Sequence, residues 1–483
     1  MKKLLNITWV VLLIASISAC DEFGEELRTN PNNPAAVAPA TLLTNVLRNL
    51  SGPVGDPNAA LYAQYLAETQ YTEDSRYQTV NFNFDGFYTG PLADLEEIIS
   101  LNSDEATMTF ALQSGSNANQ IAVARILKAY YFVMITDRWG DVPYSAALKG
   151  GTDEEGRFNP SYDSQQSIYM SLFTELEEAV AQMDGGAPVE GDFLLGGNMD
   201  WWKIFANSLR MQMALRISEA DASTAQAQFS AAMAAGVIGA NAENIMYPYL
   251  ADANNQNPWF ARFLTRTDYG LSSTVVDMLE PLGDPRLESF GDPAPLSQSI
   301  AGMPYGVDAA AAGAITNDEI SFPNSTWVRG QASALPIFTY AQMLFCQAEA
   351  AQRGWIAEDA GELYNAAVTA SMEQWGITDA DAISTYLGGE GVAYDAANGA
   401  ELIGTQKWVA LFLQGFEGWN EWRRTGYPML SPAPAALSVH GGIPLRQGYP
   451  TSERDLNSDH WSTAVAGLAS GTDDLDSPVW WDK

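Results

Sequence analysis

The chain has 483 residues, 47% of them hydrophobic and 11% aromatic, which is enough to bury a large core and excludes a disordered chain. Only 24 lysines and arginines stand against 59 aspartates and glutamates, a formal net charge of −35, which excludes nucleic acid as a partner because phosphate binding needs clustered basic side chains. The plain reading of this acidity is a saline habitat, where salt screens self-repulsion over a few ångströms, and the functional alternative is an acidic face that recruits Ca²⁺ or a cationic ligand.

Lys2 and Lys3 precede a run, 4–17, that is apolar apart from Asn6, Thr8 and Ser16 and is followed by Ser18, Ala19 and Cys20. At about 1.5 Å per residue this run falls short of about 30 Å of hydrocarbon, so residues 1–19 read as a signal peptide. Ile17-Ser18-Ala19-Cys20 resembles the bacterial lipobox, in which the peptide is cut before a cysteine whose thiol is acylated. An ordinary secretory signal with a chance cysteine is the alternative. Cleavage would remove both lysines and take the net charge from −35 to −37. A multiply acylated Cys20 anchors stably, and no later apolar run is long and uncharged enough to span a bilayer, so the lipid is the expected membrane contact. Residues 20–36, acidic over 21–26 and turning at Asn30-Pro31-Asn32-Asn33-Pro34, read as the lipidated N-terminus and its tether.

Residues 37–483 read as a single, mainly α domain. Apolar residues at three- and four-residue spacing predict helices over 41–50, 58–71, 91–101, 120–136, 164–183, 200–219, 223–235, 335–353, 360–375 and 404–416. In the fifth of these Ile168, Leu172, Leu176, Ala179 and Met183 form one stripe, with Asp163 and Gln166 as a capping pair. The 200–219 segment is apolar all round and should be central. Small residues at close-approach positions in 341–354, followed by a helix carrying Ala360, Tyr364, Ala367 and Val368, match a tetratricopeptide-like pair. The segments 125–136 with 164–183, and 200–219 with 223–235, read as two more, so stacked helical hairpins form the scaffold. Strand signals are few: Val80, Phe82 and Phe84 alternate as one arm of a hairpin. The Gly-, Pro- and Asn-punctuated stretches 241–333 and 426–483 are long irregular regions, of the kind that carries function. Cys346 lies in an apolar helical stretch and, once Cys20 is acylated, has no disulfide partner; it reads as an inert core thiol.

Four segments then add a resemblance. They are 131–144, ending Asp137-Arg138-Trp139-Gly140-Asp141-Val142-Pro143-Tyr144; the Asp284-Pro285-Arg286-Leu287 turn; 414–428, containing Gly418-Trp419-Asn420-Glu421-Trp422-Arg423-Arg424; and Ile443-Pro444-Leu445-Arg446 through Tyr449-Pro450. With the lipobox, their order and spacing resemble the SusD/RagB-like outer-membrane lipoproteins of Bacteroidetes, in a branch distinct from the founding starch-binding member. The acidic residues after Cys20 resemble the surface-export signal of such lipoproteins. The resemblance implies a lipid-anchored, cell-surface lid over a SusC-like TonB-dependent transporter, capturing oligosaccharides or sometimes peptides for import, and a binder rather than a catalyst.

Sugar capture needs flat aromatic faces for stacking on pyranose C–H surfaces and polar side chains for the hydroxyls. In the irregular regions the candidates are Trp259 with Arg262, Trp327 with Arg329, and Tyr77, Tyr88, Tyr269 and Tyr305. For each of these the competing role is a loop aromatic tucked into the core. Trp419, Trp422, Arg423 and Arg424 read instead as packing and capping groups paired to Glu417 or Glu421, and Trp139 as a plug. No zinc site is expected, since His440 and His460 are not at ligand spacing. Residues 455–466 begin like a calcium loop but place His460 at the glycine and Ala466 at the bidentate glutamate; Asp473, Asp474 and Asp476 could gather a structural Ca²⁺. No cofactor is expected, and no serine-hydrolase, zincin or phosphate-loop motif is present. An all-helical glycoside hydrolase and a helical-repeat adaptor that binds only protein are the alternatives, since glycosidase carboxylates leave no spacing signature.

Overall fold

Hydrophobic periodicity becomes a stack of helical pairs in the computed structural model, which describes residues 37–150, 156 and 158–482. The signal peptide, Cys20 and the tether lie outside the described residues. The long helices are α1 (Pro39–Asn49), α2 (Ala93–Ser103), α3 (Asn117–Trp139), α4 (Gln165–Gln182), α5 (Met199–Arg216), α6 (Ala222–Ala235), α7 (Tyr340–Gln352), α8 (Ala360–Gln374), α9 (Gly399–Ala410) and α10 (Gly415–Thr425). The three predicted pairs form, as α3 with α4, α5 with α6 and α7 with α8, and α5 also touches α4 and α7, which joins them into one scaffold.

Side-chain caps start these helices. Asn198, Asp221, Thr339 and Asp359 accept backbone N–H groups in the first turns of α5, α6, α7 and α8. The cap of α4 is Ser164, not the predicted Asp163, whose carboxylate instead takes the N–H of Ser145 at 2.8 Å. The central α5 is buried along most of its length, and Phe205 meets Trp202, Tyr130 and Phe338 at ring separations of 5.1–5.4 Å. Ala341, Ala348 and Ala367, all buried, let α7 and α8 approach closely around Phe345 and Tyr364.

Where the prediction ran past a break, tertiary contacts supply the reason. The 58–71 helix stops at Tyr62, and the chain passes through Gln64 (φ 59°) into strand β1 (Leu66–Glu68). Tyr65 donates its hydroxyl to the carbonyl of Trp408 at 2.6 Å, and the Trp408 indole donates to the carbonyl of Ala63 at 3.0 Å, which locks the turn against α9. The 404–416 helix is two helices with Leu413 (φ 72°) between them. The break sets α10 directly on the Pro57–Tyr62 helix, so close that a Cβ on Gly415 would stand 2.4 Å from the Ala59 carbonyl carbon.

The strands are short and mostly pair across long separations. β1 pairs with β5 (Tyr269–Leu271), and β4 (Ile245–Tyr247) pairs with β6 (Leu335–Phe338). Only β2 (Val142–Pro143) with β3 (Tyr162–Asp163) joins near neighbours in sequence. The hairpin expected around Val80–Phe84 does not form: Asn81 bridges Gly448 in parallel, Gly448 donates to the Val80 carbonyl at 2.8 Å, and Phe84 packs edge-on against Trp139.

A buried ionic chain ties the pairs together. Arg216 at the end of α5 bridges Asp137 of α3 and Glu417 of α10; Arg424 reaches Glu349 of α7 at 2.5 Å and Glu421 at 2.7 Å; Lys407 of α9 meets Glu421 at 2.9 Å. Asp137 also accepts the Trp481 indole N–H at 2.8 Å, which fixes the C-terminal segment to the scaffold. The motif residues Trp419, Arg423 and Arg424 are accordingly packing groups, although among the described residues Arg423 pairs with no glutamate: its guanidinium lies 3.7 Å over Trp419 and donates to the Asp137 and Leu445 carbonyls. Trp139 is fully buried and donates to the Gly448 carbonyl at 2.9 Å, as a plug should.

Candidate functional site

Three of the six aromatic candidates, Trp259, Tyr77 and Tyr305, are core, and Tyr88 and Tyr269 are half-buried. Trp259 is 2% exposed in the first turn of the Pro258–Phe263 helix, edge-on to Tyr269 at 5.8 Å, with the Arg262 guanidinium 4.8 Å over its ring. Asn257 caps that helix and brings Pro258 and Trp259 under the chain rather than out of it. Tyr77 and Tyr305 are buried hydroxyl to hydroxyl at 3.4 Å, and Tyr305 donates to the Leu61 carbonyl at 2.8 Å. Burial drives the Tyr305 phenol well above its ordinary range. These three rings offer no face to a ligand. Arg329 is likewise structural: it pairs with Asp292 at 2.7 Å and stacks 4.6 Å over Phe263. Tyr88 lines a cavity of about 1100 Å³ with Tyr144, Lys128 and Glu97, but its hydroxyl is spent on the Pro143 carbonyl at 2.6 Å.

Trp327 is the exposed candidate. It is 43% exposed and borders a cavity of about 380 Å³ together with Met246, Gln374, Trp375 and Leu413. Asn324 builds the turn that carries it, its side-chain oxygen accepting from the N–H groups of Thr326 at 2.9 Å and Trp327 at 3.0 Å, while Asp292 accepts from Ser325 and Arg329. Gly376, at φ +85°, makes room for the indole: a Cβ there would stand 2.6 Å from Trp327 Cζ2. Trp375, which directly follows α8, is held from behind by Phe290 at 4.9 Å and Phe412 at 5.7 Å, and its carbonyl accepts from Ser289 at 2.9 Å. Its indole Nε1 and the side-chain Oε1 of Gln374 are both buried with no hydrogen-bond partner, and neither is charged.

Nothing in the sequence favours Trp375 or Gln374, which read as the end of a core helix; the one local cue is a tryptophan followed directly by a glycine where the helix stops. Tyr71 was also absorbed into a predicted helix. It stands 64% exposed at φ 53°, with the Arg266 guanidinium 4.6 Å over its ring, and is a second open aromatic face.

Of the proposed calcium carboxylates, Asp473 is already committed to Arg446 at 2.8 Å and to the Tyr449 N–H at 3.1 Å. Asp474 and Asp476 gather with His440 instead, their ligand atoms within 4.8 Å of one another, which is a donor set that could hold a cation. Cys346 is buried, with its thiol pushed up to about 11 by burial and Lys407 Nζ 3.5 Å from the sulfur. Among the described residues no helix is long and apolar enough to cross a membrane.

Stacked helical pairs carrying an irregular layer, with an indole at the edge of an uncharged cavity, define the architecture of a ligand-binding protein. The chain belongs to the SusD-like family, described as starch-binding and associating with the outer membrane, whose model matches residues 31–450. Among solved structures, a chitin-binding protein is 28% identical, with 92% of this chain and 99% of that one covered at a TM-score of 0.78. A SusD homologue from Bacteroides fragilis is 24% identical over 92% of this chain and 100% of its own, with a TM-score of 0.81. A chitin-binding SusD homologue from Flavobacterium johnsoniae is 23% identical over 92% and 98%, with a TM-score of 0.75. No curated protein matches the chain.

Proposed function

We propose that this protein is a lipid-anchored outer-membrane binder that captures oligosaccharides at the cell surface and passes them to a SusC-like TonB-dependent transporter. The observation that carries the reading is the half-exposed indole of Trp327 beside a neutral cavity, on a SusD-like scaffold. An indole face stacks on pyranose C–H groups while polar side chains take hydroxyls, and the chitin-binding relatives make a glycan the favoured ligand over a peptide. The lipobox at Cys20 supports anchorage, since a binder must stay beside the transporter it feeds.

Calorimetry of the mature chain against soluble malto-, cello- and chito-oligosaccharides and short peptides tests capture, and detergent extraction of native membranes tests the partnership. A saccharide that binds with no release of shortened products, weakened in Trp327→Ala, and a co-purifying β-barrel are the expected results. Product release abolished by one Asp or Glu substitution would establish a hydrolase instead. The absence of both a binder and a barrel would sink the proposal.

A further inference from the structure

We infer that a cavity between α3, α5, α10 and β6 holds a small monovalent carboxylate, the anion of a short-chain acid, on the open edge of the Arg138 guanidinium. This space is distinct from the cavity beside Trp327, shares only Pro336 with it, and does not depend on the oligosaccharide reading.

Buried arginines in this protein come with counter-ions. Arg216, Arg286, Arg424 and Arg446 each make an ion pair with a carboxylate. Arg138 is 6% exposed and makes none: among the described residues no carboxylate comes within 4.0 Å of it. The Asp56 carboxylate acts on it from further off and is occupied in capping the Pro57–Tyr62 helix, where it takes the Asn58 N–H at 2.9 Å. Burial pushes the guanidinium down to about 10, which leaves it charged at neutral pH. A charge so placed is costly unless something pairs with it.

The guanidinium is held flat, with its centre 4.1 Å over the Phe416 ring and 4.4 Å over that of Trp139. Its Nε donates to Gln447 Oε1 at 2.7 Å. The edge that carries the two Nη groups is left; among the described residues neither has a partner, and neither is sealed from water. The space beside Arg138 is the cavity, which Phe416 also lines. The two carboxylates in its wall are spent, since Asp137 and Glu417 both bind Arg216 and Glu417 also accepts from Gln212 at 2.6 Å. Arg138 is therefore the charge in this wall that lacks a contact partner.

Two N–H groups side by side on a planar edge match the two oxygens of a carboxylate. One guanidinium neutralises one charge, so a sulfate or phosphate dianion would bring a second charge into the space uncompensated. The volume of about 70 Å³ is that of a few water molecules, which suits an ion the size of formate or acetate. Val54, Met134 and Phe338 give a short alkyl tail an apolar wall.

Saturation-transfer NMR of acetate with the mature chain, in methanesulfonate buffer at fixed ionic strength, tests the site alongside melting curves. Saturation transfer should reach a plateau by about 50 mM acetate, with formate displacing it and Tm rising as the site fills. Arg138→Met should lose both effects, and Arg138→Lys, which keeps the charge without the fork, should weaken binding at least about tenfold. If Arg138→Met does not fold, Val54→Trp, which fills the cavity from another, half-buried position, should lose both effects instead. An acetate signal that never saturates, one that persists in the folded variants, or displacement by chloride as effective as by formate overturns the proposal.

Discussion

Trp327 lies across Gly376, so close that a Cβ on the glycine would stand 2.6 Å from the indole, and the glycine holds a φ of +85° that other residues resist. The contact joins the turn at Asn324 to the end of α8 and sets the edge of the cavity. Gly376→Ala should therefore cost about 1–3 kcal/mol through backbone strain and the clash, and displace the indole. Urea unfolding would measure the first effect and a red shift of tryptophan emission the second. An unshifted spectrum would mean that the ring is held by something other than this contact.

Trp259 and Trp327 were equivalent as sequence candidates and should behave oppositely. Trp259 is buried, so Trp259→Ala should cost about 3–5 kcal/mol with saccharide affinity retained in the folded fraction. Trp327→Ala, at a half-exposed position, should cost about 1–2 kcal/mol and weaken binding about tenfold or more. Paired melts and titrations decide it.

Arg216 sits between the buried carboxylate of Asp137 and the half-buried one of Glu417. Removing its charge in Arg216→Met leaves both without their partner, which should destabilise the protein by about 3–5 kcal/mol in equilibrium unfolding. Asp137→Asn in the same background should recover part of that loss, because it removes one of the stranded charges.

Burial pushes the Glu68 carboxyl up to about 7, against hydrogen bonds from the Ser75 N–H at 2.8 Å and hydroxyl at 2.9 Å. The folded state thus holds this proton more tightly than the unfolded chain. The stabilisation is complete below the ordinary glutamate range and is lost as pH rises through about 7. Glu68→Gln, which keeps an acceptor for Ser75, should lack this loss. The stability of wild type relative to the variant should fall by up to about 3 kcal/mol between pH 4 and 8. A pH-independent difference would show that Glu68 stays ionised.

Cys346 should be silent. With its pKa pushed to about 11 by burial, roughly one thiol in a thousand is ionised at pH 8, and the sulfur is out of reach of reagents. In a chain beginning after Cys20, a thiol reagent should react only upon unfolding.

The sequence by itself determined the scaffold. The stripes of α4, α5 and α8 follow from a 3.6-residue period that any helix must obey, and the three pairs are those the small residues and apolar faces predicted. The placement of Trp419 and Arg424 in a packed joint was legible too, although not that Arg424 would reach across to Glu349. Breaks at Tyr62 and Leu413 were invisible, because they are imposed by Tyr65, Trp408 and Gly415 meeting across more than three hundred residues of chain. The site was decided by tertiary structure alone. Tryptophan in a loop has the same composition whether it faces the core, as Trp259 does, or solvent, as Trp327 does; only the packing of neighbours distant in sequence determines which face is left open. Trp375 likewise meets Trp327 only when the 324–333 segment is laid beside the end of α8.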